Sequence, residues 1–120
     1  MPRTILIVED DADIRQMMCI YLTLGQYHVV EAANGYEAIE KALQYKPDLI
    51  LMDMAMPVLD GLGSTRAMRK NEALAGVPIL CLTAYGDFYQ ERAKAAGCDE
   101  VLQKPIDFAR LDRLLEQHVH

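Results

Sequence analysis

Leu49-Ile50-Leu51-Met52-Asp53-Met54-Ala55-Met56-Pro57 is the stretch from which the fold of this chain is read. An uncharged apolar run ends in one carboxylate, and a proline follows four positions later. Lys46-Pro47-Asp48 bounds the run on its other side. Short, continuous and apolar, it reads as a strand buried on both faces, the pattern of a parallel sheet. A central parallel strand delivers its last residue to the carboxyl edge of the sheet, where open α/β folds bind their ligands. A lone aspartate there is more often a helix cap or a loop residue. The role of Asp53 therefore depends on what the other strands bring to the same edge.

Upstream, Thr4-Ile5-Leu6-Ile7-Val8 is β-branched and continuously apolar, a second fully buried strand that stops at Glu9-Asp10-Asp11. Ile14, Met17, Met18, Tyr21 and Leu22 recur at helical spacing, with Asp11 as N-cap and Gly25 as a C′ residue. Tyr27 to Ala32 is a more mixed strand suited to a sheet edge. Asn34-Gly35 marks a turn into a helix that buries Ala38, Ile39, Ala42 and Leu43 and ends before Pro47.

Downstream, Asp60-Gly61 leads into a helix carrying Leu62, Thr65 and Met68. Val77 to Leu82 is a fourth strand, ending at Thr83-Ala84. A small-residue helix with Ala93, Ala95 and Ala96 runs to Gly97. Asp99 to Gln103 is a short fifth strand at an edge, followed by Lys104-Pro105. Asp107 caps a last helix with Phe108, Leu111, Leu114 and Leu115 on one face. Strands and helices alternate five times, which with right-handed crossovers predicts an α/β doubly wound parallel sheet with helices on both faces. Five strands suggest the flavodoxin-like order 2-1-3-4-5. In that order the ends of strands 1 and 3 are neighbours, so Glu9, Asp10 and Asp53 meet at the switch point. Thr83 and Lys104 reach the same edge from strands 4 and 5.

The 120 residues suffice for one domain and one core. A formal net charge of −6 makes direct binding to nucleic acid or to an anionic membrane a poor expectation. No apolar run approaches the ~20 residues of a membrane span, and the N-terminus lacks the pattern of a cleaved leader. Cys19, Cys81 and Cys98 are odd in number and without metal-ligand spacing. They read as reduced thiols of a cytoplasmic protein. His118 and His120 read as an unstructured tail.

Carboxylates gathered in one pocket repel each other by roughly 3 kcal/mol per pair at ~5 Å and an effective dielectric near 20. Such a cluster persists when a cation occupies it, and all-oxygen ligands on a few carboxylates suit Mg²⁺. Lys104 offers a point charge to a phosphate oxygen and Thr83 a hydroxyl. No Gly-rich phosphate loop is present, which argues against a bound nucleotide. A carboxylate in the middle of such a cradle can act as a nucleophile toward a phosphoryl group, giving an acyl phosphate.

Ile5-Leu6-Ile7-Val8-Glu9-Asp10-Asp11, Asp53-Met54-Ala55-Met56-Pro57-Val58-Leu59-Asp60-Gly61, Thr83-Ala84 and Lys104-Pro105 together resemble the motifs of the receiver domain of two-component response regulators. They occur in order over nearly the whole chain, so the resemblance implies one receiver domain over residues 1–120, with no attached output domain if those residues are the whole protein. It implies that Asp53 accepts a phosphoryl group from a phosphohistidine on a histidine kinase or histidine phosphotransfer protein. Asp10 and Asp53 would bind Mg²⁺ directly, Glu9 through water or nearby, and the Ala55 backbone carbonyl would add a ligand. Lys104 would pair with the phosphoryl group, and Thr83 would hydrogen-bond to it and move. The Lys104–Pro105 bond is expected to be cis. The output would be a changed protein contact on the face of helix 4, strand 5 and helix 5.

Such a domain transfers and loses its own phosphoryl group but is read as a switch rather than an enzyme. Ala55 has no side chain to orient a water, and Tyr85 is placed to cover the phosphoryl group. Val101 stands where the family commonly has Tyr or Phe, so switching would run through loop shifts or through Tyr85 unless Val101 merely packs. Two other functions compete. A phosphohydrolase of the haloacid-dehalogenase type needs a second aspartate where Ala55 stands. A degenerate receiver would serve as a scaffold without phosphorylation.

Overall fold

Side chains alternate between the two faces of a strand, and that alternation sorts the core of this protein into two layers. In the computed structural model, which describes residues 2–54 and 60–119 (backbone alone for 86–88), the chain runs β1 (Thr4–Val8), α1 (Ala12–Leu24), β2 (His28–Ala32), α2 (Gly35–Tyr45), β3 (Leu49–Asp53), α3 (Gly61–Lys70), β4 (Ile79–Thr83), α4 (Gly86–Ala96), β5 (Glu100–Gln103) and α5 (Phe108–His118). All strand pairs are parallel, in the order β2-β1-β3-β4-β5. This is the expected doubly wound topology, with β1 beside β3.

Ile5, Ile7, Leu49, Leu51, Leu80, Leu82 and Leu102 pack on one face with Met18 and Leu22 of α1 and Leu111, Leu114 and Leu115 of α5. Leu6, Val8, Ile50, Met52, Ile79, Cys81 and Val101 pack on the other with residues of α2, α3 and α4. Burial on both faces explains why β3 and β4 carry no charged or hydroxyl residue before their last.

Four helices begin on a side-chain cap, each worth about 1 kcal/mol. Asp11 accepts from the backbone of Asp13 and Ile14, Asn34 from Glu37, Asp60 from Gly63, and Asp107 from Ala109 and Arg110. α4 starts at Tyr85 with no side-chain cap. Gly61 is required where it stands: a Cβ there would collide with the Asp53 carbonyl oxygen and with Met54, because the first turn of α3 packs directly on the end of β3.

Several expectations need correcting. The first helix ends at Gly25, but the left-handed residue is Gln26 (φ 70°), while Gly25 itself has φ −79°. Tyr27 lies outside β2 because its N–H is taken by the Leu22 carbonyl at the helix end. β4 starts at Ile79 rather than Val77: Pro78 has no N–H for the ladder, and the Val77 carbonyl is taken by Arg69. Its end at Thr83 is as expected. β5 starts at Glu100, since the Asp99 side chain turns back to accept from the Ile79 N–H. His118 is not in a loose tail: it closes α5, half-buried, with Nε2 3.7 Å from Glu100 Oε1. His120 lies outside the described residues.

The cysteines depart furthest from expectation. Cys81 and Cys98 form a disulfide, their Cα atoms 6.4 Å apart, leaving Cys19 as the free thiol. Both bonded sulfurs belong to the core layer under α3 and α4. They are separated by 17 positions and brought together by the passage of α4 over β4 and β5, which no spacing in the chain discloses. Burial and the neighbouring Glu31 carboxylate push the Cys19 thiol up to about 11, so it is not a reactive thiolate.

Candidate functional site

Strand parity aims the site. Glu9 continues the series Ile5, Ile7, and Asp53 the series Leu49, Leu51. Lys104 follows Leu102 by two. All three therefore head toward the α1–α5 side of the carboxyl edge. Lys104 Nζ lies 3.2 Å from Glu9 Oε1 and 3.3 Å from Asp53 Oδ1, bridging strand ends that are far apart in sequence. Asp53 and Glu9 are buried and Asp10 is exposed. One carboxylate oxygen from each of the three falls within 4.8 Å of the others.

Thr83 belongs to the opposite parity, with Ile79 and Cys81, so its hydroxyl enters the site from the α4 side. It is buried and accepts from the Tyr85 N–H at 3.0 Å. Its carbonyl accepts from the Lys104 N–H at 2.8 Å, which ties the two strand ends together. The Lys104–Pro105 peptide bond is cis, as expected.

These residues surround a cavity of about 300 Å³ lined by Glu9, Asp10, Asp11, Ile14, Asp53, Thr83, Ala84, Tyr85, Tyr89 and Lys104. Every sequence-predicted acid, the hydroxyl and the amine line it. Val101 does not. It is buried against the α3–α4 layer and its carbonyl accepts from Arg110 Nη2, so it packs. Tyr85 is 70 % exposed and stands at the rim of the cavity. Tyr89 was not singled out from the sequence. It sits one helical turn beyond Tyr85, donating its N–H to the Tyr85 carbonyl, and lines the same cavity while packing on the core. The i, i+4 spacing is the signal that could have found it. Ala55 lies outside the described residues.

The electrostatics mark strain among the acids. Burial, with Asp53 hydrogen-bonded and charged beside it, pushes the Glu9 carboxyl up from 4.5 to about 8, against the pull of Lys104. Burial pulls the Lys104 ammonium down, but the Asp53 and Glu9 carboxylates outweigh it and the net shift is upward. Glu9 Oε2 is buried and has no hydrogen-bond partner. A buried carboxylate oxygen without a donor is costly, and a cation is the partner that would remove the cost. Three carboxylates of three residues, no nitrogen or sulfur donor among them, suit a hard cation such as Mg²⁺. The residues present fit that ion.

A family model described as the response regulator receiver domain matches residues 5–116. The polar-differentiation response regulator DivK of Brucella anthropi is 30 % identical over 99 % of this chain and 98 % of its own length. The chemotaxis protein CheY4 of Vibrio cholerae superposes with a TM-score of 0.92 at 33 % identity, covering 98 % of this chain and 99 % of that one. The receiver domain of the sensor histidine kinase PA1611 of Pseudomonas aeruginosa does so at 0.92 and 35 % identity, covering 99 % and 98 %. That structure holds a magnesium ion in its active-site cleft.

Proposed function

We propose, because this chain belongs to the response regulator receiver domain family of two-component signalling, that Asp53 is its phosphoacceptor. The observation that carries this reading is the meeting of Glu9, Asp10 and Asp53 within 4.8 Å, bridged by Lys104 at the carboxyl edge of the sheet.

In this reading Asp10 and Asp53 would hold Mg²⁺ directly and Glu9 through water or nearby, with the Ala55 carbonyl as a further ligand. When bound, the ion neutralises charge on the phosphoryl oxygens and polarises the phosphorus toward attack. An oxygen of Asp53 forms a bond to phosphorus while the bond from phosphorus to the donor imidazole nitrogen breaks. The imidazole keeps the bonding pair and takes up a proton. Lys104 turns from the carboxylates toward the new phosphoryl oxygens, and the Thr83 hydroxyl, no longer confined to the Tyr85 N–H, donates to another. Exchanging that contact alters the start of α4, the helix without a side-chain cap. Phosphorylation thereby biases the α4, β5 and α5 face toward a downstream protein. Tyr85 joins that movement from the rim, and Val101 contributes by packing.

The donor is a histidine kinase or histidine phosphotransfer protein, and residues 1–120 act as one receiver domain. Phosphotransfer and dephosphorylation at Asp53 are its own chemistry, and the product is a changed surface, not a turned-over substrate. The net charge of −6 disfavours direct binding to nucleic acid or to an anionic membrane, and among the described residues no helix is long and apolar enough to cross a membrane. We place the chain in the cytoplasm on family grounds, since the Cys81–Cys98 bond does not support the argument from reduced thiols.

Intact-mass measurement after incubation with acetyl phosphate and Mg²⁺ tests the reading. One phosphate adduct on the wild type, absent from Asp53→Asn and from a magnesium-free control, is expected. An adduct that persists on Asp53→Asn would overturn the assignment.

A further inference from the structure

Consecutive side chains of an extended strand point to opposite faces. Glu9 follows the parity of Ile5 and Ile7, so an extended continuation would send Asp10 to the other side of the sheet, with Leu6 and Val8. Both carboxylates nevertheless reach Asp53. The chain must leave the extended conformation at the peptide joining Glu9 to Asp10, and something must hold it there against three mutually repelling acids.

That peptide is held by a residue of α1. Arg15 Nη1 donates to the Glu9 carbonyl at 2.7 Å, and its Nε donates to Glu31 Oε1 at 3.1 Å. On the other side, the Glu9 N–H donates to the Ala32 carbonyl at 3.0 Å. Glu31 is fixed in turn, its own carbonyl accepting from Lys41 Nζ at 2.6 Å. The Arg15 side chain is only 20 % exposed, although the Glu31 side chain is 51 % exposed. An exposed ion pair of this kind contributes little stability by itself. Its geometric effect is to point a planar guanidinium at one carbonyl.

We infer that Arg15 is a positioning residue for the cation pocket: by gripping the Glu9 carbonyl it sets the peptide plane between Glu9 and Asp10 and aims both side chains at Asp53. The peptide group is planar, so fixing its oxygen fixes ψ of Glu9 and φ of Asp10 together. Arg15 meets Glu9 at its backbone carbonyl and not at its carboxylate. Lysine cannot replace it, because an ammonium lacks the planar fork that reaches the carbonyl and Glu31 at once. The inference rests on the cation reading of the site.

Mg²⁺ titration of the full chain by calorimetry, with thermal melting in EDTA alongside, tests it. Arg15→Gln is expected to weaken Mg²⁺ binding about tenfold, the scale of losing an outer-shell partner. Arg15→Lys should recover only part of that loss. Glu31→Ala, which leaves the guanidinium but removes its tether, should weaken binding about threefold and decides the matter should Arg15→Gln fail to fold. A merely structural arginine would lower the metal-free melting temperature and leave Mg²⁺ affinity alone. Affinities within twofold of the wild type in both Arg15→Gln and Glu31→Ala would overturn the inference. A wild type that takes up no Mg²⁺ would overturn the cation reading as well.

Discussion

Both edges of the sheet hold a cation among oxygen atoms, and they are built on opposite terms. At the amino edge, Arg69 donates through Nε to the Gly97 carbonyl, through Nη1 to the carbonyls of Leu74, Ala75 and Val77, and through Nη2 to Asp99. Asp99 also accepts from the Ile79 N–H. Guanidinium and carboxylate are both well supplied with partners, and the α3–β4 and α4–β5 loops are tied by one side chain. At the carboxyl edge, Lys104 meets two carboxylates at 3.2 and 3.3 Å, Glu9 keeps a buried oxygen without a donor, and its carboxyl is pushed up to about 8. Saturated networks of this kind specify structure, and incomplete ones mark places where a ligand completes the count. The same fold thus separates its stability from its chemistry by the length of a strand.

The widest gap between the edges should appear when each loses its central residue. Arg69→Ala takes the side-chain donor from four carbonyls, three of them partly buried, and reduces Asp99 to the Ile79 N–H, and the expected loss is about 3–4 kcal/mol of unfolding free energy, read from urea transitions. The variant should still form the Asp53 adduct where it is folded. A loss under about 1 kcal/mol would mean that water replaces the guanidinium and the edges are not as different as they look. Next in size is Gly97→Ala. Gly97 has φ 115°, and a Cβ there would stand 2.5 Å from Arg69 Cγ. Left-handed strain plus displacement of the arginine should cost about 2–3 kcal/mol. If Gly97→Ala on an Arg69→Ala background cost as much as it does alone, backbone conformation and not the arginine contact would account for it.

The two edges were also unequally legible in the sequence. The carboxyl edge announces itself because each of its groups sits at the end of an apolar run: Glu9 after Val8, Asp53 after Met52, Thr83 after Leu82. Side-chain identity and strand position carry the information, and the five-fold alternation supplies the topology. The amino edge is silent, because the partners of Arg69 are mostly backbone carbonyls, and a carbonyl has no residue signature. Arg15 was missed for the same reason, since its acceptor is the Glu9 backbone. Tyr89 and the Cys81–Cys98 bond depend on how α4 lies across β4 and β5, which is a property of packing. Gly25 misled because a glycine at a helix end suggests left-handed geometry, which Gln26 adopts here.

At the carboxyl edge the sign of a mutation should reverse. Asp53→Asn removes one of three clustered acids and leaves Lys104 with Glu9. It should raise stability by about 2 kcal/mol in EDTA while abolishing phosphorylation, the trade expected where charge repulsion is kept for function. A variant less stable than the wild type would show that the Lys104–Asp53 pair is a structural bond after all, and the contrast with Arg69 would fail.

The effect that is smallest per unit of the variable changed is the most specific to Glu9. Its carboxyl is raised from 4.5 to about 8 in the folded chain, so between those values the folded state binds more of this proton than the unfolded state does. The stability Glu9 contributes is therefore complete below about pH 4.5 and is lost as pH rises toward 8, with a slope of no more than about 1.4 kcal/mol per pH unit. The readout is the difference between the wild type and Glu9→Gln in metal-free urea unfolding, in which the titration of every other group cancels. Mg²⁺ should act in the opposite direction: it takes the ionised carboxylate, so its binding releases a proton, and its stabilisation of the wild type grows as pH rises from 6 to 8.5. In Glu9→Gln that growth should flatten. Parallel pH profiles for wild type and variant, with and without Mg²⁺, would mean that Glu9 is content with Lys104 alone, and the carboxyl edge would then be as saturated as the amino edge.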